Sequence, residues 1–178
     1  MKLFYVSAFI ALMLASCNNE AGESTQARDT TVAAVATDLP YTATYSSNFS
    51  TDVSEADLKM VLDSYKDWAD GDIAGLESSL ADSVSYDANS GMSRRLSKAD
   101  LSKMWAKSRD SLSSVSIEMY AWQKMYAVDK KEANVVTWYK EIDTYKDGRV
   151  DSATYHDING IKNGKIEWYS SMNRGFGK

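Results

Sequence analysis

The sequence has one cysteine, one proline and one histidine among its 178 residues. Because Cys17 has no second cysteine to pair with, no disulfide can form within the chain, and a folded domain must rest on packing. With a single histidine and a single cysteine, the sequence provides no ligand set for a structural zinc ion, and we expect no Ser-His-Asp triad. The sequence also has no glycine-rich phosphate loop and no twelve-residue calcium loop. We therefore expect neither a cofactor nor a metal.

Positive charge is also scarce, with 20 Lys and Arg against 25 Asp and Glu and a formal net charge of −5. An acidic balance disfavours nucleic acid and anionic lipid headgroups as partners. Long apolar runs are missing apart from residues 3–14, and that run is short for a transmembrane helix. With 44% hydrophobic and 11% aromatic residues, the remainder can form the core of one domain.

The first seventeen residues have the pattern of a secretory signal. Lys2 supplies positive charge, residues 3–14 are apolar, and Leu14-Ala15-Ser16-Cys17 ends the run with small residues. This ending resembles the lipobox of bacterial lipoproteins, in which the cysteine becomes the mature N-terminus and carries acyl chains such as palmitate. The resemblance implies a signal peptide at 1–16 and a protein exported and lipid-anchored to a bacterial membrane, with the outer membrane, on its periplasmic or surface side, as the expected one. The alternative is an ordinary cleaved signal followed by a stray cysteine.

The mature chain is predicted to contain a tether and one folded domain. Residues 17–53 comprise the lipidated cysteine and a stretch rich in Ser, Thr, Ala, Asn and Asp, which indicates a flexible tether. Residues 41–45 alternate in polarity and are alternatively a short edge strand. The domain is predicted at 54–178, where a capping pattern at Ser54 precedes the first helical periodicity.

Three helices are predicted before a series of strands. Gly71 ends the first helix, Asp72 caps a short second one, and Ser97 caps the third. After residue 114 the period changes to that of strands, and the dipeptides Asp147-Gly148 and Asn163-Gly164 are strong hairpin signals. The predicted strands are a short one at 84–87 and four long ones at 115–129, 135–145, 150–161 and 165–173.

This order of elements resembles the nuclear transport factor 2-like fold, also called SnoaL-like or ketosteroid-isomerase-like. Residues 61–76 resemble the family's first helix, which ends in Gly-Asp before a second helix. Residues 80–87 resemble the segment that follows, and residues 163–166, Asn-Gly-Lys-Ile, resemble the turn before the last strand. The resemblance implies an α+β fold, with a cone-shaped, strongly curved antiparallel sheet covered by three N-terminal helices.

Two polar residues fall where this family places its reactive groups. The resemblance implies that Asp87 is a base and that His156, counted back from the turn at 163–165, is an oxyanion or proton partner. The family's oxyanion tyrosine would correspond to Ser64, with Tyr65 adjacent, so the isomerase set is incomplete. The alternatives are that Asp87 caps a loop and that His156 is a structural hydrogen-bonding residue.

Aromatic side chains are the second candidate feature. We predict that six of these side chains line a pocket for a flat or apolar ligand, and the alternative is that they pack in the core. The six are Tyr65, Trp68, Trp105, Trp122, Trp138 and Trp168. The preferred hypothesis is a lipid-anchored cell-envelope protein whose cone binds a small apolar or aromatic ligand, or a partner protein, without catalysis. The alternatives are a small isomerase, cyclase or dehydratase using Asp87 with His156, and a structural module that forms homodimers.

Overall fold

The structure, a computed structural model, describes residues 39–175. It confirms the α+β class, because three helices cover one face of a single seven-stranded sheet that curves without closing. The predicted signal peptide, Cys17 and most of the predicted tether lie outside the described residues. The elements in chain order are β1 (Phe49–Ser50), α1 (Glu55–Asp70), α2 (Ile73–Ser78), β2 (Leu80–Asp87), β3 (Ser93–Ser97), α3 (Lys98–Asp110), β4 (Leu112–Ala127), β5 (Glu132–Tyr145), β6 (Val150–Lys162) and β7 (Lys165–Gly175).

The three helices begin at the residues that the capping signals predicted, and α1 ends at the predicted Gly71. The side chains of Ser54 and Ser97 each accept a hydrogen bond from the backbone N–H three residues on, and Asp72 does the same at α2. Gly71 ends α1 with a φ of 79°, which a residue with a side chain adopts only with strain. Within residues 39–175, no helix has both the length and the apolar character needed to cross a bilayer.

The sheet has the strand order β1-β4-β5-β6-β7-β2-β3. Strands β4 to β7 form the predicted antiparallel meander. Two features differ from the expectation: β2 pairs with β7 in parallel, and β3, which contains Arg94 and Arg95 and was not among the predicted strands, pairs with β2. The sheet is therefore mixed, because β2 lies parallel to β7 while the other neighbouring strands are antiparallel.

The predicted tether contributes its last residues to the sheet. Phe49 and Ser50 of β1 pair with Ala127 and Tyr126 at the end of β4. Residues 41–45, the alternative edge strand, do not form a strand. The short β1 protects only the end of β4, so most of that edge remains open.

The core lies between the helices and the face of the sheet that they cover, here called the inner face. Its fully buried residues include Val61 of α1, Leu101 of α3, Val135 of β5 and Val84 of β2. Burying a side chain of this size stabilises a fold by about 1.5–3 kcal/mol. Because side chains alternate along a strand, the odd-numbered residues of β5 and β6 point to the inner face and the even-numbered ones to the outer face.

Arg109 of α3 fastens α3 to the end of α1. Its guanidinium donates to the carbonyl oxygens of Trp68 (3.3 Å), Ala69 (3.2 Å) and Leu112 (3.3 Å). The first two carbonyls are at the C-terminal end of α1, where helical partners are missing. All three sides of the guanidinium are thus engaged with backbone oxygens.

Candidate functional site

A cavity of about 390 Å³ lies between the three helices and the inner face of the sheet. This volume falls within the range of small-molecule sites. Its wall includes the acids Glu141 and Asp143, and among its described lining residues there is no Lys, Arg or His. Eight aromatic residues contribute to the wall: Tyr65, Trp68, Tyr86, Trp105, Tyr139, Tyr145, Tyr155 and Tyr169.

The aromatic rings are packed against one another in fixed orientations. Tyr86 and Tyr169 stack at 5.8 Å between centroids, and Trp105 meets both rings edge-on. Tyr139 and Tyr155 stack at 5.0 Å. Contacts of this kind favour defined ring positions beyond the area they bury, so the cavity wall is largely formed before any ligand arrives.

Asp157 of β6 anchors three of these rings from below. It is fully buried, and its Oδ2 accepts hydrogen bonds from the hydroxyls of Tyr169 (2.7 Å), Tyr139 (2.9 Å) and Tyr65 (3.1 Å). Burial raises the pKa of Asp157, and the hydroxyl donors, with Ser171 opposite on β7, counteract part of that rise. Asp157 thus links rings from α1, β5 and β7 to one carboxylate.

The Tyr65 hydroxyl extends this network along the inner face. It shares a 2.8 Å hydrogen bond with Thr137 and accepts one of 3.0 Å from Asn159. Both partners are buried, on β5 and β6 respectively. Burial and the charge of Asp157 raise the pKa of Tyr65 well above its ordinary value, so this phenol keeps its proton as a hydrogen-bond donor.

Glu141 and Asp143 form an acid pair on the cavity wall. They are two residues apart on β5 and share the inner face. Glu141 is only 7% exposed and accepts a 3.1 Å hydrogen bond from Trp68 Nε1, whereas Asp143 Oδ1 is buried without a hydrogen-bond partner. Burial, reinforced by the charge of Asp143, raises the pKa of Glu141 to about 8. At neutral pH, Glu141 therefore holds a proton.

The pKa of Asp143 is raised for similar reasons. Burial is the first cause and repulsion from Asp151, its cross-strand neighbour, is the second. A hydrogen bond from Glu141 and the charge of Arg109 lower it in part. Across residues 39–175, no three His, Cys, Asp or Glu side chains are placed to hold a metal ion.

Of the sequence-predicted site residues, Tyr65, Trp68 and Trp105 line the cavity. Asp87 and His156 do not, and the structure does not bring them together. Asp87 accepts a 2.7 Å hydrogen bond from Trp168 Nε1. Hydrogen bonding to Ser93, and then to Trp168, lowers the pKa of Asp87. Both donors belong to neighbouring strands, Ser93 to β3 and Trp168 to β7.

His156 lies on the outer face, stacked on Trp138 with 5.0 Å between ring centroids. The neighbouring Asp157 points inward, so a difference of one residue in the strand count separates the predicted residue from the buried acid. Of the remaining predicted pocket residues, neither Trp138 nor Trp168 lines the cavity, and Trp122 also lies outside it with 51% of its surface exposed.

Glu141, Asp143 and Asp157 were not predicted as site residues. A usable signal for the first two is the alternation along β5, because every second residue from Val135 to Tyr145 belongs to the inner face. This row begins with the apolar Val135 and reaches the acids Glu141 and Asp143 near its other end, which indicates that the cavity becomes polar toward that end of the strand.

Solved structures share this architecture. AusH from Aspergillus nidulans matches with a TM-score of 0.56 and 13% identity, over 68% of this chain and 86% of that one. An LEH-like epoxide hydrolase from M. tuberculosis matches with a TM-score of 0.56 and 10% identity, over 67% and 83%. An NTF2-like protein of unknown function from Burkholderia pseudomallei matches with a TM-score of 0.54 and 12% identity, over 68% and 92%.

The fold is thus the nuclear transport factor 2-like cone, as the resemblance implied. No protein-family model and no curated protein matches the sequence. At sequence identities this low, the structural similarity establishes a shared fold only. The activity has to be argued from the site itself.

Proposed function

We propose that this protein is a lipid-anchored component of the bacterial cell envelope that binds a small, largely apolar molecule in its cone. The observation that carries the proposal is the cavity of about 390 Å³ with eight aromatic residues in its wall. A concave, mostly apolar site with a few polar groups is the usual form of a small-molecule site. The stacked rings and the Asp157 anchor support binding further, because a wall formed in advance loses little entropy when a ligand enters.

A second candidate function is proton-transfer catalysis in the same cavity. The observation that favours it is Glu141, whose pKa of about 8 is close to the value that suits a general acid or base near neutral pH. Asp143 would be its partner. In this form the enzyme hypothesis no longer involves Asp87 and His156, since neither lines the cavity.

Binding in the cone is tested with N-phenyl-1-naphthylamine, a neutral apolar probe whose fluorescence rises in apolar sites. We expect saturable binding of one molecule per chain. Ser108→Trp places an indole in the cavity, since Ser108 lines it from α3, and should weaken binding roughly tenfold or more, about 1.4 kcal/mol.

The matched control for this titration is Met172→Trp. Met172 is 48% exposed on β7 and does not line the cavity, so this variant should bind the probe as the unaltered protein does. Equal weakening in both variants, or the absence of saturable binding, would contradict a binding site in the cone.

The lipid anchor is supported by the Leu14-Ala15-Ser16-Cys17 pattern and is tested in a bacterial host. We expect the unaltered chain to incorporate radiolabelled palmitate and to sediment with membranes. Cys17→Ala should lose both properties, because the thiol is the acceptor in a lipobox. Ser16→Ala keeps a small residue before the cysteine and should retain both. A Cys17→Ala product that is still labelled and membrane-bound would refute the anchor.

A further inference from the structure

We propose that the cone selects organic cations: an ammonium group on an apolar or aromatic body, with its charge held by Glu141 and Asp143. This inference rests on the proposed function, namely that the cavity binds a small molecule. It specifies the chemical class of that molecule from the charges, orphaned atoms and rings of the wall.

The cavity contains two acids, and its described lining offers no positive side chain to pair with them. Glu141 is more than nine-tenths buried, and Asp143 Oδ1 is buried without a hydrogen-bond partner. A buried carboxylate without a counter-charge is costly. A cation entering the cavity would supply the missing partner.

The strands on either side of β5 place no counter-charge at the positions paired with the two acids. On β6, Asp151 and Asp157 add negative charge, and on β4 the residues paired with Glu141 and Asp143 are the uncharged Ile117 and Val115.

Two arginines, Arg109 and Arg149, bear on the charge balance around the acid pair. Arg109 of α3 lowers the pKa of Asp143, but its guanidinium is engaged by three backbone carbonyls. The guanidinium of Arg149, beyond the end of β5, stacks on the Tyr145 ring at 3.6 Å to its centroid. Neither arginine forms an ion pair with the acids in the described structure, so the pair remains available to a ligand.

Aromatic side chains surround the acids. Trp68 touches Glu141 through its indole N–H, and burial, followed by the charge of Glu141, raises the pKa of Tyr155 to about 12. Tyr155 lines the same cavity, as does Tyr145, one face of which is already occupied by the Arg149 guanidinium. Ring faces attract cations, most strongly where water is excluded. Carboxylates combined with ring faces suit an alkylated ammonium, whose charge is spread over apolar groups.

Proton release provides a signature of this mode of binding. Because burial and the neighbouring Asp143 raise the pKa of Glu141 to about 8, the free protein carries a proton there at pH 7. A bound cation favours the ionised form and expels that proton. Affinity for a permanent cation should therefore rise with pH, by roughly 10- to 50-fold between pH 6 and pH 8 for a single linked proton.

The experiment compares two probes of nearly the same shape on the full chain by calorimetry. Benzyltrimethylammonium carries a permanent positive charge, and neopentylbenzene has a carbon in place of the nitrogen. At pH 8 we expect the cation to bind at least tenfold more tightly than the neutral probe. Glu141→Gln and Asp143→Asn should each abolish most of that preference, while Asp87→Asn, an acid outside the cavity, should keep it.

The outcomes separate this inference from the function on which it rests. If neopentylbenzene binds as tightly as the cation, the selection of cations is refuted and binding in the cone stands. If neither probe binds, nor N-phenyl-1-naphthylamine, both fail. A preference that survives Glu141→Gln and Asp143→Asn overturns the assignment to these acids. Retained neopentylbenzene binding shows that a variant is folded.

Discussion

Asp157→Ala is expected to lower the free energy of unfolding by about 3–5 kcal/mol, one of the largest effects of any single substitution in this domain. Asp157 has no exposed surface and accepts hydrogen bonds from three tyrosine hydroxyls. Without the carboxylate, buried hydroxyls on α1, β5 and β7 lose their common acceptor. A small cavity also remains where the side chain was, which adds to the cost.

This loss of stability is measured by equilibrium unfolding in urea, and two further variants serve as comparisons. Asp151→Ala removes an exposed acid from the same strand and should change stability by no more than about 0.5 kcal/mol. Tyr169→Phe removes one of the three donors and should cost about 1 kcal/mol. If Asp157→Ala unfolds at the same urea concentration as Asp151→Ala, the network contributes nothing to stability.

The second large effect is a loss of stability between about pH 4.5 and pH 8, caused by Glu141. The folded protein keeps the Glu141 proton up to a pKa of about 8, whereas the unfolded chain releases it near 4.5. Between these values the unfolded state binds fewer protons, so stability falls as pH rises. The contribution is fully present below pH 4.5 and is lost above pH 8, and its size is roughly 3–5 kcal/mol.

The measurement is the unfolding free energy from pH 5 to pH 9 for the unaltered protein and for Glu141→Gln. The glutamine is neutral throughout and can still accept from Trp68 Nε1, so its curve should lie progressively above that of the unaltered protein as pH rises. Glu118→Gln, an exposed position on β4, should follow the unaltered protein. Parallel curves for Glu141→Gln and the unaltered protein would show that Glu141 ionises normally.

Much of the fold could be predicted because its signals act over a few residues. Asn163 and Gly164 adopt φ values of 53° and 69°, and Gly148 adopts 86°. At Asn163-Gly164 both residues thus take the positive φ that such a hairpin dipeptide allows, whereas at Asp147-Gly148 only the glycine does. The caps at Ser54 and Ser97 depend only on the three residues that follow each of them.

The site could not be predicted to the same degree because it depends on which face a residue occupies. A count of one residue distinguishes His156 on the outer face from Asp157 on the inner face. The Glu141–Asp143 pair carries no motif, and its significance comes from burial and from the absence of a counter-charge in the cavity lining. Those properties belong to the assembled fold rather than to any segment of sequence.

The parallel pairing of β2 with β7 sets the order of events while the chain is being made. Leu80 and Asp87 find their partners in Ile166 and Ser170, more than eighty positions later. On a ribosome, β2 and the β3 strand paired with it have no further strand to pair with until β7 and nearly all of the domain have emerged. Pairings of such long range slow folding. The nascent chain is thus expected to remain open to chaperones until its final strand is complete.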